Sequence, residues 1–178
     1  MSYPIKAQCE VGPNGKPCSG GEDDGKCSGM VYFEQTSADS IKITWDIKGM
    51  TPGLHGFHIH EKADFSNGCI SAGPHYNPFG KNHGAPTDEE RHVGDMGNIE
   101  AGADGTSKGE MTDHLIKIEG EYTVVGRSVM VHADPDDLGK GDNSEPGGNG
   151  VPPTNGKASL VTGNAGARIA CGEIVLVK

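Results

Sequence analysis

The stretch Leu54-His55-Gly56-Phe57-His58-Ile59-His60 places three of the chain's eight histidines within seven residues. In a β-strand, residues two apart share a face. Leu54, Gly56, His58 and His60 then lie on one side, and His55, Phe57 and Ile59 on the other. Phe57 and Ile59 are natural core residues, which turns His58 and His60 out of the core, and Gly56 beside them leaves clearance for something bulky. Two imidazoles projecting in parallel begin a metal site, although a pair of surface histidines fits this stretch equally well. His75, His83, His92 and Asp95 follow at intervals of 8, 9 and 3 residues, in or just after one polar segment. Three imidazoles and a carboxylate suit tetrahedral zinc, which takes N and O ligands and has no redox chemistry of its own. Solvation in a loop explains any one of them, but explains the four together poorly. His132 ends the apolar run Val129-Met130-Val131 and would bring a third imidazole from a neighbouring strand to His58 and His60. Several imidazoles without sulfur are compatible with Cu(II).

Such groups must be carried by rigid elements. Ile41–Ile47 alternates apolar and polar residues, the mark of a half-buried strand. Similar short runs occur at Met30–Gln35, Leu54–His60, Leu115–Glu119, Ser128–His132 and Ile174–Val177, separated by turn signals such as Thr51-Pro52-Gly53 and Asp104-Gly105. No window sustains a helical period. Many short strands with Gly-rich turns indicate a β-sandwich or barrel. Three long segments interrupt this pattern: Gly12–Ser28 with Cys18, Cys27 and an acidic cluster, Asp64–His92 with three histidines, and Asp134–Thr162, rich in Gly, Pro and Asn. Segments of that length in a compact domain are functional or mobile, and the second and third read as functional.

At 178 residues the chain is expected to be one domain spanning 1–178. No stretch approaches the ~20 apolar residues of a membrane span, and a net charge of −10 argues against nucleic acid or an anionic membrane as partner. The N-terminus MSYPIKAQCE lacks the features of a secretory signal, so a cytoplasmic location is expected, or an extracellular one if a leader precedes a mature end. Five cysteines without a CxxC pair exclude a disulfide-dense scaffold and a zinc finger.

The segments GLHGFHIHE (53–61), GCISAGPHYNPFGKNHGAPTDEERHVGDMGNI (68–99), VGRSVMVHADPDDLGKG (125–141) and GNAGARIACG (163–172) resemble the copper–zinc superoxide dismutases in residue types, order and spacing. That resemblance implies an all-β, eight-stranded Greek-key β-barrel with long metal-binding and channel loops. It implies copper on His58, His60, His75 and His132, and zinc on His75, His83, His92 and Asp95, with His75 bridging the two. It also implies Asp136 as the carboxylate linking a zinc histidine to a copper histidine. The implied reaction converts superoxide to dioxygen and hydrogen peroxide by one-electron cycling of copper, with His75 releasing and taking a proton. Arg168 then binds the anion and Thr162 narrows the channel with it; by itself Arg168 beside GNAG reads as a surface residue at a turn. The cleft would be positive despite the net charge, because its low-dielectric walls focus the local field, and Lys140 would add to it or simply be solvated. His55 is then a buried structural imidazole bonded to backbone near His132, and His114 an exposed one.

Cys69 and Cys171 match the family's intrasubunit disulfide, and Cys9 a buried reduced cysteine. Cys18 and Cys27, nine apart in an enlarged first hairpin at about 12–28, have no counterpart: a second disulfide and a free pair remain equal alternatives. The channel loop at about 139–162 is lengthened by SEPGGNGVPPTNGKAS, so the usual steering charges cannot be placed there. The family pattern implies a homodimer, but Lys62 and Ala63 replace an aromatic and a glycine at the dimer contact, where a lysine is disfavoured. A copper chaperone is a further implied partner. Rival readings are a chaperone domain, which normally lacks part of the copper site and carries a CxxC domain, and a zinc-only binding protein, which would have no use for Arg168.

Overall fold

The structure, a computed structural model, describes residues 2–13, 25–145 and 157–178. Its strands are β1 (Ile5–Val11), β2 (Ser28–Ser37), β3 (Ser40–Lys48), β4 (Gly53–His60), β5 (Ser66–Cys69), β6 (Asp95–Ala101), β7 (Ser107–Asp113), β8 (Ser128–His132) and β9 (Arg168–Leu176). Eight of them pair in the order β6-β4-β8-β9-β1-β2-β3-β7. Every pairing is antiparallel, and β6 and β7 approach each other to nearly close a barrel. After the β1-β2-β3 meander the chain crosses to β4, pairs β6 on its outer side, returns with β7 beside β3, and crosses again to β8. That is a Greek-key path, so the all-β barrel expectation holds. Strand β9 joins the two halves: Arg168–Glu173 pairs with β8, while Ile174–Leu176 pairs with β1.

The alternation read in the sequence fills this barrel. Ile41, Ile43 and Ile47 of β3 are fully buried, as are Phe57 and Ile59 of β4, Val129 and Val131 of β8, and Ile174 of β9. Trp45 also turns inward, its ring 5.6 Å from that of Phe57, and lies over Gly109, the residue opposite it on β7. Any Cβ at Gly109 would stand 2.5 Å from the indole.

The expected strand at Leu115–Glu119 is not one. Beyond Asp113 the chain makes bends and a single bridge, Lys117 to Thr123. Its alternating Ile116 and Ile118 are buried because the loop folds back as a plug: the Ile118 N–H donates to the Gln35 side chain, and those of Leu115 and Ile116 to Asp113. Period-2 burial arose there without ladder pairing. One short helix, α1 (Ser159–Thr162), lies in the channel segment.

Candidate metal centre

Strand β4 ends at His60, and its edges are held on both sides there. Phe57 to His60 pair with Val131 to Ser128 of β8. The opposite edge takes the long polar loop: Ile59 N–H donates to the Gly94 carbonyl, Tyr76 N–H to Ile59, Gly94 N–H to Tyr76 and Glu61 N–H to Pro74, with a bridge between His60 and His75. A one-residue bulge in β6 moves the pairing from Gly56–Asn98 to His58–Asp95, which swings Asp95 toward the histidines. On β9 the register sets Arg168 opposite His132. Gly56 is needed where it stands: a Cβ would lie 2.6 Å from that of Ala165 and 3.3–3.4 Å from the His58 ring and His132 Cβ. His58 and His60 face away from the barrel interior but are fully buried, because the loops cover them.

Two groups of donor atoms converge within 4.8 Å. The first is His58, His60, His75 and His132. His60 Nδ1–H donates to the Gly73 carbonyl at 2.8 Å, His132 Nδ1–H to Gly166 at 3.2 Å, and His58 Nε2–H to Asp136 Oδ2 at 2.7 Å. Those bonds fix the tautomers and leave bare lone pairs on His60 Nε2, His132 Nε2 and His58 Nδ1. These three are the buried side-chain atoms without a hydrogen-bond partner among the described residues. A buried polar atom left so is costly, and three aimed at one point are what an imidazole-loving metal satisfies.

The second group is His58, His75, His83 and Asp95. The sequence-expected zinc set has His92 in place of His58, and His92 is equally near: its Nδ1 lies 3.2 Å from His75 Nδ1 and 3.3 Å from Asp95 Oδ1. Asp95 Oδ1 is also 3.0 Å from His75 Nδ1 and 2.9 Å from His83 Nδ1. Tetrahedral zinc with N and O ligands near 2.05 Å has ligand–ligand edges of about 3.3 Å, so these four atoms have the spacing of a zinc cage. Asp95 Oδ2 is already engaged by the N–H groups of Gly84 and His92, leaving Oδ1 to face the centre. His58 enters the second group because its ring centre lies 4.0 Å from that of His75 and 5.5 Å from that of His83; Asp136 joins it to His83, whose Nε2–H donates to Asp136 Oδ1 at 2.7 Å.

Burial, and then neighbouring rings, push the pKa of His58 down to about 3 and those of His60, His75 and His132 well below the usual imidazole value, with Arg168 adding to the effect on His58, His60 and His132. Neutral rings are the ligand form. Burial opposes a charge on His83, but its hydrogen bonds to Asp136 and Asp95 prevail and raise it to about 10 when no metal is bound, so a metal bound at His83 Nδ1 must displace a proton there. Burial likewise opposes ionisation of Asp95, and hydrogen bonds from His75, His83 and His92 hold it well below the usual carboxyl value.

The pH dependence follows. A ring whose folded pKa lies below the unfolded ~6.5 costs stability as pH falls beneath that value, by about 1.4 kcal/mol per pH unit and ring. For His58 the loss continues down to about 3. The Asp95 contribution is present above the unfolded ~3.9 and fades as pH drops below it, whereas that of His83 is complete below the unfolded ~6.5 and is lost progressively as pH rises from there through about 10. Metal release by proton competition has the acid sign too. The urea midpoint is therefore expected to fall from pH 6.5 to pH 4 with a slope of more than one proton; a flat profile would contradict neutral buried rings.

Arg168 is half-buried, its guanidinium donating to the carbonyls of Cys69 and Ile70 at 3.0 and 3.3 Å. Burial lowers its pKa only to about 10, so it stays cationic at neutral pH. Cys69 and Cys171 form a disulfide that holds those carbonyls to β9. Thr162 is half-buried at the end of α1, and Gly163 after it packs on the metal-site carboxylate: a Cβ there would meet Asp136 Oδ1 at 2.0 Å and His83 Nε2 at 2.5 Å. His55 is buried between the carbonyls of His132 (2.8 Å) and Thr51 (2.7 Å). His114 and Lys140 are exposed, and Cys9 is buried. Cys27 is fully buried, while Cys18 and its pairing lie outside the described residues, as do parts of both enlarged loops.

Sequence reasoning missed Arg91. In EERHVGD it looks like one more solvated charge, yet it is among the most buried side chains. It pairs with Asp113 at 2.6 Å and donates to the carbonyls of Pro86, His92 and Val93, pinning the loop that carries His92 and leads into Asp95 at the start of β6. Asp137 was missed as well: it accepts from Ser159, Gly139 and Asn164 and so shapes the loop around α1.

A Greek-key barrel with an imidazole cluster abutting an imidazole–carboxylate cage defines a two-metal redox protein of the copper–zinc type. Comparison with known proteins identifies which. Residues 27–174 match the family model for copper/zinc superoxide dismutase. The chain is 56% identical over 153 residues to the superoxide dismutase [Cu-Zn] of Kluyveromyces lactis, covering 85% of this chain and 90% of that protein. It is 52% identical over 150 residues to that of Onchocerca volvulus, covering 84% and 89%. With the extracellular superoxide dismutase [Cu-Zn] of Brugia pahangi it shares 51% over 154 residues, covering 86% and 72%. The chain belongs to the copper/zinc superoxide dismutase family.

Proposed function

We propose that the protein disproportionates superoxide, 2 O2⁻ + 2 H⁺ giving O2 and H2O2, with copper on His58, His60, His75 and His132 and zinc on His75, His83, His92 and Asp95. The observation that carries this is the trio of orphaned, tautomer-locked ring nitrogens beside a cage of zinc-sized spacing. Copper, when bound, supplies the one-electron cycle, and zinc holds geometry. Arg168, charged and opposite His132, draws the superoxide anion and orients it. His75 holds and gives a proton at Nε2, since its Nδ1 faces Asp95. Asp136 fixes the His58 and His83 rings together. Thr162 narrows the approach with Arg168.

The test is dismutation by protein loaded with both metals, with metal content measured on the same sample. Activity should require copper, collapse in His58→Ala and fall roughly 10- to 100-fold in Arg168→Gln, which would also lose most of its ionic-strength dependence. Full metal loading without activity would sink the mechanism.

The chain folds as one domain and is a homodimer in this reading. Lys62, exposed in the segment after His60, weakens the contact, so sedimentation should give a dimer that dissociates at micromolar concentration. Copper delivery by a chaperone is consistent with a site covered by loops. The relatives' names include one extracellular enzyme and two without a compartment; fractionation of the native protein tests a cytoplasmic location.

A further inference from the structure

Arg127 has no part in the site as assigned. Its side chain is half-buried and makes three contacts. One guanidinium N–H donates to the Glu61 carbonyl at 3.0 Å. Nε–H donates to Thr123 at 3.0 Å, which fixes the fork from its own loop. The guanidinium carbon lies 3.8 Å from the centre of the buried Tyr76 ring. Glu61 and Tyr76 are the residues directly after His60 and His75. These two histidines face each other across a bridge flanked by Glu61 N–H to Pro74 and Tyr76 N–H to Ile59. One planar cation therefore grips both chain segments where two imidazoles are held in register. Its neighbour Ser128 adds a bond to the Lys62 carbonyl at 2.7 Å. The grip extends toward the anion-binding arginine, because Lys62 N–H donates to Ala72, next to the segment whose Cys69 and Ile70 carbonyls receive Arg168.

We propose that Arg127 is a positioning residue for the copper side of the centre: stacked on Tyr76 and bonded to Glu61, it sets the relative placement of His75 and His60. This rests on the copper assignment above. Only a planar fork can stack on the ring and donate in its own plane at once, so lysine replaces it incompletely. Removing the grip leaves every ligand present but loosens the angle between two of them, an error that reaches the metal's electronic signature before it reaches the fold.

The experiment uses the full chain loaded with copper and zinc, comparing the parent with Arg127→Met, Arg127→Lys, Tyr76→Leu and Tyr76→Phe. At equal metal content, Arg127→Met and Tyr76→Leu are expected to shift and broaden the Cu(II) hyperfine pattern in electron paramagnetic resonance and to lower activity per copper roughly tenfold. Arg127→Lys should fall between, and Tyr76→Phe, which keeps the ring face, should overlay the parent. Variants with the parent's spectrum and activity per copper, losing only melting temperature, would overturn the proposal and leave Arg127 as ordinary loop packing. If Arg127→Met does not fold, Tyr76→Leu and Arg127→Lys decide by the same spectra. A parent that takes up no copper would sink the site assignment itself, whereas a normal parent with unmoved variants sinks this inference alone.

Discussion

Replacing Asp136 by Asn should strip at least one metal from the centre under a chelator that the parent withstands, by a loss of affinity of roughly 10- to 100-fold. The carboxylate accepts from His58 Nε2–H and His83 Nε2–H at 2.7 Å each, and Oδ1 accepts a third bond from Leu138 N–H at 2.8 Å. An amide offers one oxygen and one NH2. The NH2 must then confront an imidazole N–H, so one ring turns away or moves its proton to Nδ1, the atom that faces the metal. The lost charge also removes part of what offsets the burial of His83, whose hydrogen bond to Asp136 is the largest influence opposing that burial. The side group is near-isosteric and Gly163 packs against it either way, so the fold should survive. Copper and zinc contents after dialysis read the result, and retention of both metals at parent affinity would show that the bridge orients rings without contributing to binding.

Much of the centre was legible because its chemistry is written in spacing. Period-2 placement of His58 and His60 opposite Phe57 and Ile59 follows from strand geometry alone, and the three imidazoles and Asp95 advertise a cage by residue type. What spacing cannot carry is register across distant segments. Arg168 reads as a surface residue by itself, and only the β8–β9 pairing places it opposite His132. The bulge that brings Asp95 to His58 depends on one extra residue in β6, and the groups that orient the His60 and His132 rings are the backbone carbonyls of Gly73 and Gly166, invisible to side-chain reasoning. Arg91 shows the same limit, since nothing local distinguishes a buried guanidinium with four oxygen partners from a solvated one. The false strand at Leu115–Glu119 fails for the complementary reason: alternation reports burial on one side, and a loop plugged by Asp113 and Gln35 can supply it without a ladder.

Removing the Cys69–Cys171 disulfide should be the most destabilising change that leaves all metal ligands intact. The bridge spans 102 residues, and constraining a loop of that size in the unfolded chain contributes up to about 4.7 kcal/mol in the entropy model. The native state loses as well, because Cys69 and Cys171 pack with Ala72 and Met130 in a small cluster of their own, against Phe65. A Cys69→Ser, Cys171→Ser double variant is expected to lose about 3–5 kcal/mol of unfolding free energy at neutral pH by urea denaturation. The consequence for function is separate from the staple. Cys69 gives its carbonyl to Arg168 and Cys171 sits three residues beyond it on β9, so the disulfide closes a short circuit around the guanidinium. Once opened, the 66–72 segment can drift and the arginine loses a fixed acceptor. Activity per bound copper should then fall roughly 3- to 10-fold, with weaker competition by small monovalent anions, even under conditions where the variant is fully folded. Lost stability with unchanged activity per copper would mean that the carbonyl stays in place by its loop's own hydrogen bonds, and that the bridge acts on the unfolded chain alone.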